Sequence, residues 1–191
     1  MEIILASQSP RRKELLGLFP FSFMIRVADI DEGMNPLLPP QQEVARVSRL
    51  KALAVSRQED DLVIAADTIV VCDGQVLGKP IDAEDAYRML RMLSGRSHQV
   101  MTGLTVLRGD QEVVTTEITT ISFRELTDRE IRRYIASGEP MDKAGSYGIQ
   151  GGAALFAQQI SGDYFNVVGL PVCRLGQILQ KIAPDVMEES Q

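Results

Sequence analysis

Short apolar runs alternate with amphipathic stretches along this chain, and the period of the pattern changes several times. Ile3 to Ala6 is continuously apolar and of strand length, which predicts a short buried strand. Ser9-Pro10 then has the chemistry of a helix start, with Ser9 as N-cap, Pro10 at the first helical position and Gly17 closing the helix. Phe21 to Val27 reads as a second strand, and residues 33–40 as a turn-rich loop. From Gln41 to Arg57, Val44, Val47, Leu50 and Ala54 recur at steps of three and four, the spacing of a helix face. Leu62 to Ala66 is apolar throughout, predicting a strand buried on both faces that ends at Asp67-Thr68. Ile69 to Cys72 and Gln75 to Leu77 flank Asp73-Gly74, a hairpin signal.

Further along, Asp82 to Leu93 predicts a helix with acids in its first turn and Gly95 past its end. Gln99 to Leu107 and Glu112 to Phe123, rich in Val, Thr and Ile, read as long strands about a Gly109-Asp110 turn. Thr127-Asp128-Arg129-Glu130 is a capping box opening a helix that ends near Gly138. The glycine-dense stretch 138–152 reads as a long irregular surface loop. Strands are expected near Ala154 to Gln158 and Phe165 to Val168, then a last helix over Val172 to Ile182, stopped by Pro184, and a frayed polar tail from Asp185 to Gln191. This order of elements predicts an α/β fold with a mixed sheet flanked by helices, residues 1–191 forming one domain.

Composition narrows the function classes. The 191 residues carry 20 Lys plus Arg against 26 Asp plus Glu, a net charge of −6, with 45% apolar residues. A globular protein is implied, and a binder of long nucleic acid is disfavoured because a basic surface supplies most of that affinity. Cys72 and Cys173 lack metal-ligand spacing and read as buried free thiols of a reducing compartment. No apolar run is long enough to span a membrane and the N-terminus is unlike a signal peptide, so the expected location is the cytoplasm.

Four features carry candidate chemistry. Ser7-Gln8-Ser9-Pro10-Arg11-Arg12 puts two arginines in the first turn of a helix, where the partial positive charge makes them misplaced unless an anion sits there; solvated arginines are the alternative. Asp67 closes a buried apolar run, a position suited to a metal ligand, a general base or simply an Asx turn or a cap for the following segment. Lys51 lies about 40° round its helix from the apolar stripe, and like Lys79 in Gly78-Lys79-Pro80 it can reach phosphate or remain solvated. The glycines at 138, 145, 148, 151 and 152 permit close backbone approach to a ligand, although neither a Walker nor a GxGxxG spacing is present. Glu32 could join Asp67 on a metal, whereas His98, between a helix stop and a strand start, is a poor catalytic base.

Taken together, Ala6-Ser7-Gln8-Ser9-Pro10-Arg11-Arg12, Ile30-Asp31-Glu32, Ala66-Asp67-Thr68, Gly78-Lys79-Pro80, Gly138-Glu139-Pro140 through Gly151, and Asn166 to Pro171 resemble the Maf family of nucleoside triphosphate pyrophosphatases, in family order over nearly the whole chain. The resemblance implies a mixed twisted sheet flanked by helices, with two lobes around a central cleft as in Maf and ITPase-like folds, and a homodimer. It also implies cleavage between the α- and β-phosphates, with Asp142 to Gly151 looking like the branch that acts on dTTP and UTP. On the same ground Asp67 matches the catalytic acceptor, and Arg11, Thr68 and Gln150 match the positions that set base preference. Ser7, Arg12, Lys51 and Lys79 match the phosphate-lining positions, and Glu32, with Asp67, a carboxylate for Mg²⁺ or Mn²⁺. Two rivals stand beside it, a nucleotide-binding regulator without turnover and a pyrophosphatase for a different base.

Overall fold

The computed structural model describes residues 1–27, 29–33, 35, 37–55 and 57–188. Strand β1 (Ile3–Leu5) runs parallel to β2 (Met24–Ile25) on one side and to β3 (Leu62–Cys72) on the other. Strand β4 (Gln75–Leu77) returns antiparallel along β3, with Val71 opposite Val76. Beyond β3 come β5 (Ser97–Arg108), β6 (Gln111–Phe123) and β7 (Ala157–Ser161), the last antiparallel to β6. The result is a mixed seven-stranded sheet. Its flanking helices are α1 (Pro10–Leu16), α2 (Pro40–Ala54), α3 (Ala83–Leu93), α4 (Asp128–Ala136), the short α5 (Tyr164–Val168) and α6 (Val172–Ile182). None of the helices is long and apolar enough to cross a membrane, among the described residues. The chain forms two compact units, the first of residues 1–67, 102–117 and 169–191, the second of residues 68–101 and 118–168.

In the first unit, Ile4, Ala6, Val63, Ala65 and Leu107 pack with Ala52 and Val55 in one apolar cluster. The buried stripe of α2 is Glu43, Val44, Val47, Ser48 and Ala52, and it differs from the expected one: Leu50 is only half-buried and Ala54 is exposed. The rotation has a polar cause. Ser48 is fully buried because its hydroxyl meets Thr105 Oγ1 at 2.8 Å, and an apolar count along the helix passes over such a residue. Gly103 of β5 is what lets α2 lie so near. A Cβ there would come within 2.6 Å of the Val44 carbonyl carbon and 2.8 Å of Ala45 N.

The tail expected to fray from Asp185 onward is held in place at its start. Pro184–Val186 forms one 3-10 turn, and Arg108 holds Asp185 through contacts of 2.5 and 2.8 Å; residues 189–191 lie outside the described part. The span Phe21 to Val27 contributes only Met24–Ile25 to the sheet, both exposed, since β1 is its one described partner. Cys173 is exposed, in contrast to the expected burial; Cys72 is buried, and both are free thiols.

In the second unit the local signals hold. Asp73 and Gly74 take positive φ values, +48° and +77°, as a two-residue hairpin requires. Asp82 caps α3 by accepting from Asp85 N at 2.8 Å, and Thr127 with Glu130 forms the reciprocal capping box of α4. Two strand expectations fail. Gly152–Leu155 is a 3-10 turn, which moves the strand to Ala157–Ser161, and Phe165 to Val168 is helical. Asp163 Oδ1 accepts from Phe165 N at 2.8 Å, an Asx contact that starts a helix where the apolar run alone suggested a strand. Inside this unit His98 stacks edge-on with Phe123 and Tyr147, and its Nε2 lies 2.8 Å from the Tyr147 hydroxyl.

Substituting Gly103→Ala forces α2 off β5 and should cost roughly 1–3 kcal/mol, read as a fall in urea midpoint at unchanged slope. Burial lowers the His98 pKa to about 4, from 6.5. The unfolded chain therefore binds a proton below pH 6.5 that the native protein refuses until about pH 4. His98 contributes no penalty above pH 6.5 and a growing one as the pH falls through that window, reaching on the order of 3 kcal/mol. His98→Asn should flatten the stability-versus-pH curve between those values; a curve of wild-type slope would refute this assignment.

Candidate functional site

Helix α1 begins at Pro10 with Ser9 preceding it, yet the Ser9 side chain makes no capping bond. Ser7 supplies the local order: its Oγ accepts from Ser9 N and from Arg12 Nη1, both at 3.2 Å. Arg12 Nε also donates to the Gly169 carbonyl at 2.8 Å, so the guanidinium is fixed at two points. Its pKa is lowered, chiefly by burial and further by Arg11, while Asp67 and Glu32 act in the opposite direction. Arg12 thus lies within electrostatic reach of both carboxylates.

Asp67 does not end a strand. Strand β3 continues through it to Cys72, which removes the Asx-turn and cap readings. A carboxylate inside a mostly buried strand needs a partner from elsewhere in the fold, and Lys51 provides it from α2: Nζ donates to Asp67 Oδ1 at 2.7 Å. The same ammonium lies 2.9 Å from Glu32 Oε2. The Lys51 and Asp67 side chains are 14% and 17% exposed, enough to exclude most water yet not all, whereas Glu32 at 59% is largely solvated. Lys51 is therefore not a solvated lysine past the core edge. It bridges two carboxylates that sequence places 35 residues apart (67 − 32).

The segment bearing Glu32 is tied to α2 by a pair that sequence reasoning missed. Glu43, fully buried, accepts from Arg46 at 2.8 and 2.5 Å and from Asn35 N at 2.8 Å. Arg46 Nη2 in turn donates to Gly33 O at 2.9 Å. These bonds, Arg46 first, hold the Glu43 carboxyl below the usual range. The available signal was a Glu at the edge of a helical stripe with Arg three residues later, a pattern that looks like any surface pair.

Among the described residues no group of three or more His, Cys, Asp or Glu converges as a ready metal cage. Asp67 and Glu32 do converge on one point, now taken by Lys51 Nζ. Two hard carboxylates suit Mg²⁺ or Mn²⁺, which take their remaining ligands from phosphate and water.

The other candidates lie in the second unit and are described within it. Thr68 is half-buried in β3; Lys79 is exposed just after β4. The backbone before Lys79 is tied to the glycine-dense stretch by Gly145 N donating to Gly78 O at 3.0 Å. Gln150 is exposed on a turn closed by Gly151 N to Gly148 O at 3.1 Å. The stretch is only partly the expected surface loop, for Gly145, Ser146 and Tyr147 are buried and 3-10 turns cover 139–142, 144–146 and 152–155. His98 is a packed, uncharged core residue and takes no part in the cluster around Asp67.

Comparison with known proteins places this chain in a family. The model for Maf-like proteins matches residues 2–182. A dTTP/UTP pyrophosphatase of Bacillus pumilus is 50% identical over 180 residues, 94% of this chain and 95% of that protein. One of Symbiobacterium thermophilum is 51% identical over 179 residues, 93% and 92% of the two chains. Among solved structures, the Ham1 protein of Staphylococcus aureus aligns with a TM-score of 0.51 at 15% identity over 94% of this chain and 98% of that one, a likeness of fold alone. With a match over nearly its whole length and relatives sharing half its residues, the chain belongs to the Maf family.

Proposed function

We propose that the protein is a nucleoside triphosphate pyrophosphatase that hydrolyses dTTP and UTP to the monophosphate and pyrophosphate. The observation that carries the reading is the Lys51 ammonium held between Asp67 and Glu32, beside the arginines of α1. Relatives named dTTP/UTP pyrophosphatase, at 46–51% identity, support the substrate class.

A triphosphate repels any incoming nucleophile, so its charge must be answered first. Arg12, Lys51 and Lys79 take the phosphate oxygens, and stabilise the charge that grows on the leaving pyrophosphate. Ser7, accepting from Arg12, keeps that guanidinium aimed. Asp67 presents Oδ1 to Lys51, and Oδ2 is the atom we assign to the attacking water. As the water oxygen bonds to the α-phosphorus, its proton passes to Asp67 and the bond from α-phosphorus to the bridging oxygen breaks, the electron pair leaving with pyrophosphate. With Lys51 turned from between them onto the phosphates, Asp67 and Glu32 would hold Mg²⁺ or Mn²⁺, which when bound adds positive charge against the phosphates. Gln150 offers both a donor and an acceptor, as a uracil or thymine edge requires, with Arg11 and Thr68 completing base selection.

Pyrophosphate should be released from dTTP and UTP in the presence of Mg²⁺, and reaction in ¹⁸O-water should label the monophosphate; label in pyrophosphate would move the attack to the β-phosphorus. Asp67→Asn should lower kcat by about 10²–10⁴ while nucleotide binding by calorimetry persists; near-normal turnover would remove Asp67 from its role. Chelation with EDTA should abolish turnover and added Mg²⁺ or Mn²⁺ should restore it, whereas undiminished activity in EDTA would eliminate the metal.

A further inference from the structure

Three of the glycines in the stretch 138–152 share a neighbour, and it is an internal carboxylate. Glu139 Oε1 accepts from the Tyr134 hydroxyl at 2.9 Å, and Oε2 accepts from Gly152 N at 3.0 Å. The Tyr134 oxygen accepts in turn from Gly148 N at 2.9 Å. Lys143 Nζ donates to the Glu139 main-chain carbonyl and to Asp142 Oδ1, each at 2.6 Å. The backbone at 148 and 152 is thereby fastened from both carboxylate oxygens, one directly and one through the phenol.

A side chain at any of these three positions would press on the group or displace it. A Cβ on Gly148 would lie 3.0 Å from Glu139 Oε1 and 2.8 Å from Lys143 Cε. One on Gly151 would fall 2.5 Å from the carboxylate carbon and 2.7 Å from Oε2. One on Gly152 would press the Tyr134 ring at 3.2 Å. These glycines have a reason that needs no ligand: the chain is wrapped on Glu139. Gln150 stands on the turn between Gly148 and Gly151, exposed, and none of these hub bonds runs through its side chain.

We infer that Glu139, with Tyr134 as its relay, is the positioning residue for Gln150 and so a determinant of base specificity. This rests on the reading that Gln150 meets the nucleobase. A carboxylate suits the task because it accepts at both oxygens, whereas an amide in its place has a single acceptor: either Gly152 N–H faces an NH₂, or the Tyr134 O–H loses its acceptor while its oxygen already takes the Gly148 N–H. The Tyr134 pKa is raised, chiefly by burial, which keeps the phenol protonated and donating to Glu139.

Steady-state kcat and KM for UTP and CTP, with thermal midpoints, test this on Glu139→Gln, Gly151→Ala, Gln150→Ala and the Glu139→Gln/Gln150→Ala double variant. Glu139→Gln should raise KM for UTP roughly tenfold with kcat within about twofold, and should narrow the preference for UTP over CTP. Gly151→Ala, which intrudes on the same carboxylate, should do likewise and serves if Glu139→Gln does not fold. Acting through Gln150, the Glu139 change should add nothing in the double variant. An equal fall in kcat for both nucleotides with KM unmoved, or additive losses in the double variant, overturns the inference. If Gln150→Ala changes the preference while Glu139→Gln and Gly151→Ala leave it intact, this inference alone fails. If Gln150→Ala leaves the preference intact, the base-contact reading beneath it fails.

Discussion

Helix α2 rests on the backbone of β5 because position 103 carries no side chain. That close approach governs much of what the first unit does. It seals the apolar cluster of Ala52 and Val55 with Ile4, Val63 and Leu107. It brings Ser48 to Thr105, and it sets the depth from which Lys51 reaches Asp67 on β3. A side chain at 103 would lift the helix by the space it occupies, and the 2.7 Å contact of Lys51 would stretch with it. A packing constraint on a glycine thus underlies an electrostatic arrangement that involves no glycine.

Legibility in the sequence followed the range of the deciding interaction. Thr127 with Glu130, Asp73-Gly74 and the span Val172–Ile182 are settled by contacts within a few residues, and each was readable with correct boundaries or nearly so. Asp67 was readable as chemically unusual but misplaced at a strand end, because what allows β3 to continue through a carboxylate is an ammonium from 16 residues earlier. Ser48 and Glu43 were missed for a related reason: each is buried against a polar partner, and hydrophobic periodicity has no mark for a satisfied polar group. Phe165 to Val168 shows the reverse failure, where a contact of Asp163 two residues away outweighed an apolar run.

The candidate residues themselves were mostly legible, through motif order, and their relations were not. Nothing in the spacing of Glu32, Lys51 and Asp67 says that one ammonium bridges two carboxylates, nor that Glu43 and Arg46 hold the segment carrying Glu32. The glycine-dense stretch, expected as an irregular surface loop, is folded around its own glutamate.

That last feature bears on how such a chain can diverge. Around Glu139 a side chain at 148 or 151 would displace the carboxylate, and one at 152 would press on the Tyr134 ring. Position 150 between them is exposed and carries none of the hub's bonds. Scaffold and presented side chain are thereby separated within five residues. A side chain at 150 can be exchanged without breaking any of the hub's bonds, so what the turn presents and what holds the turn can change independently.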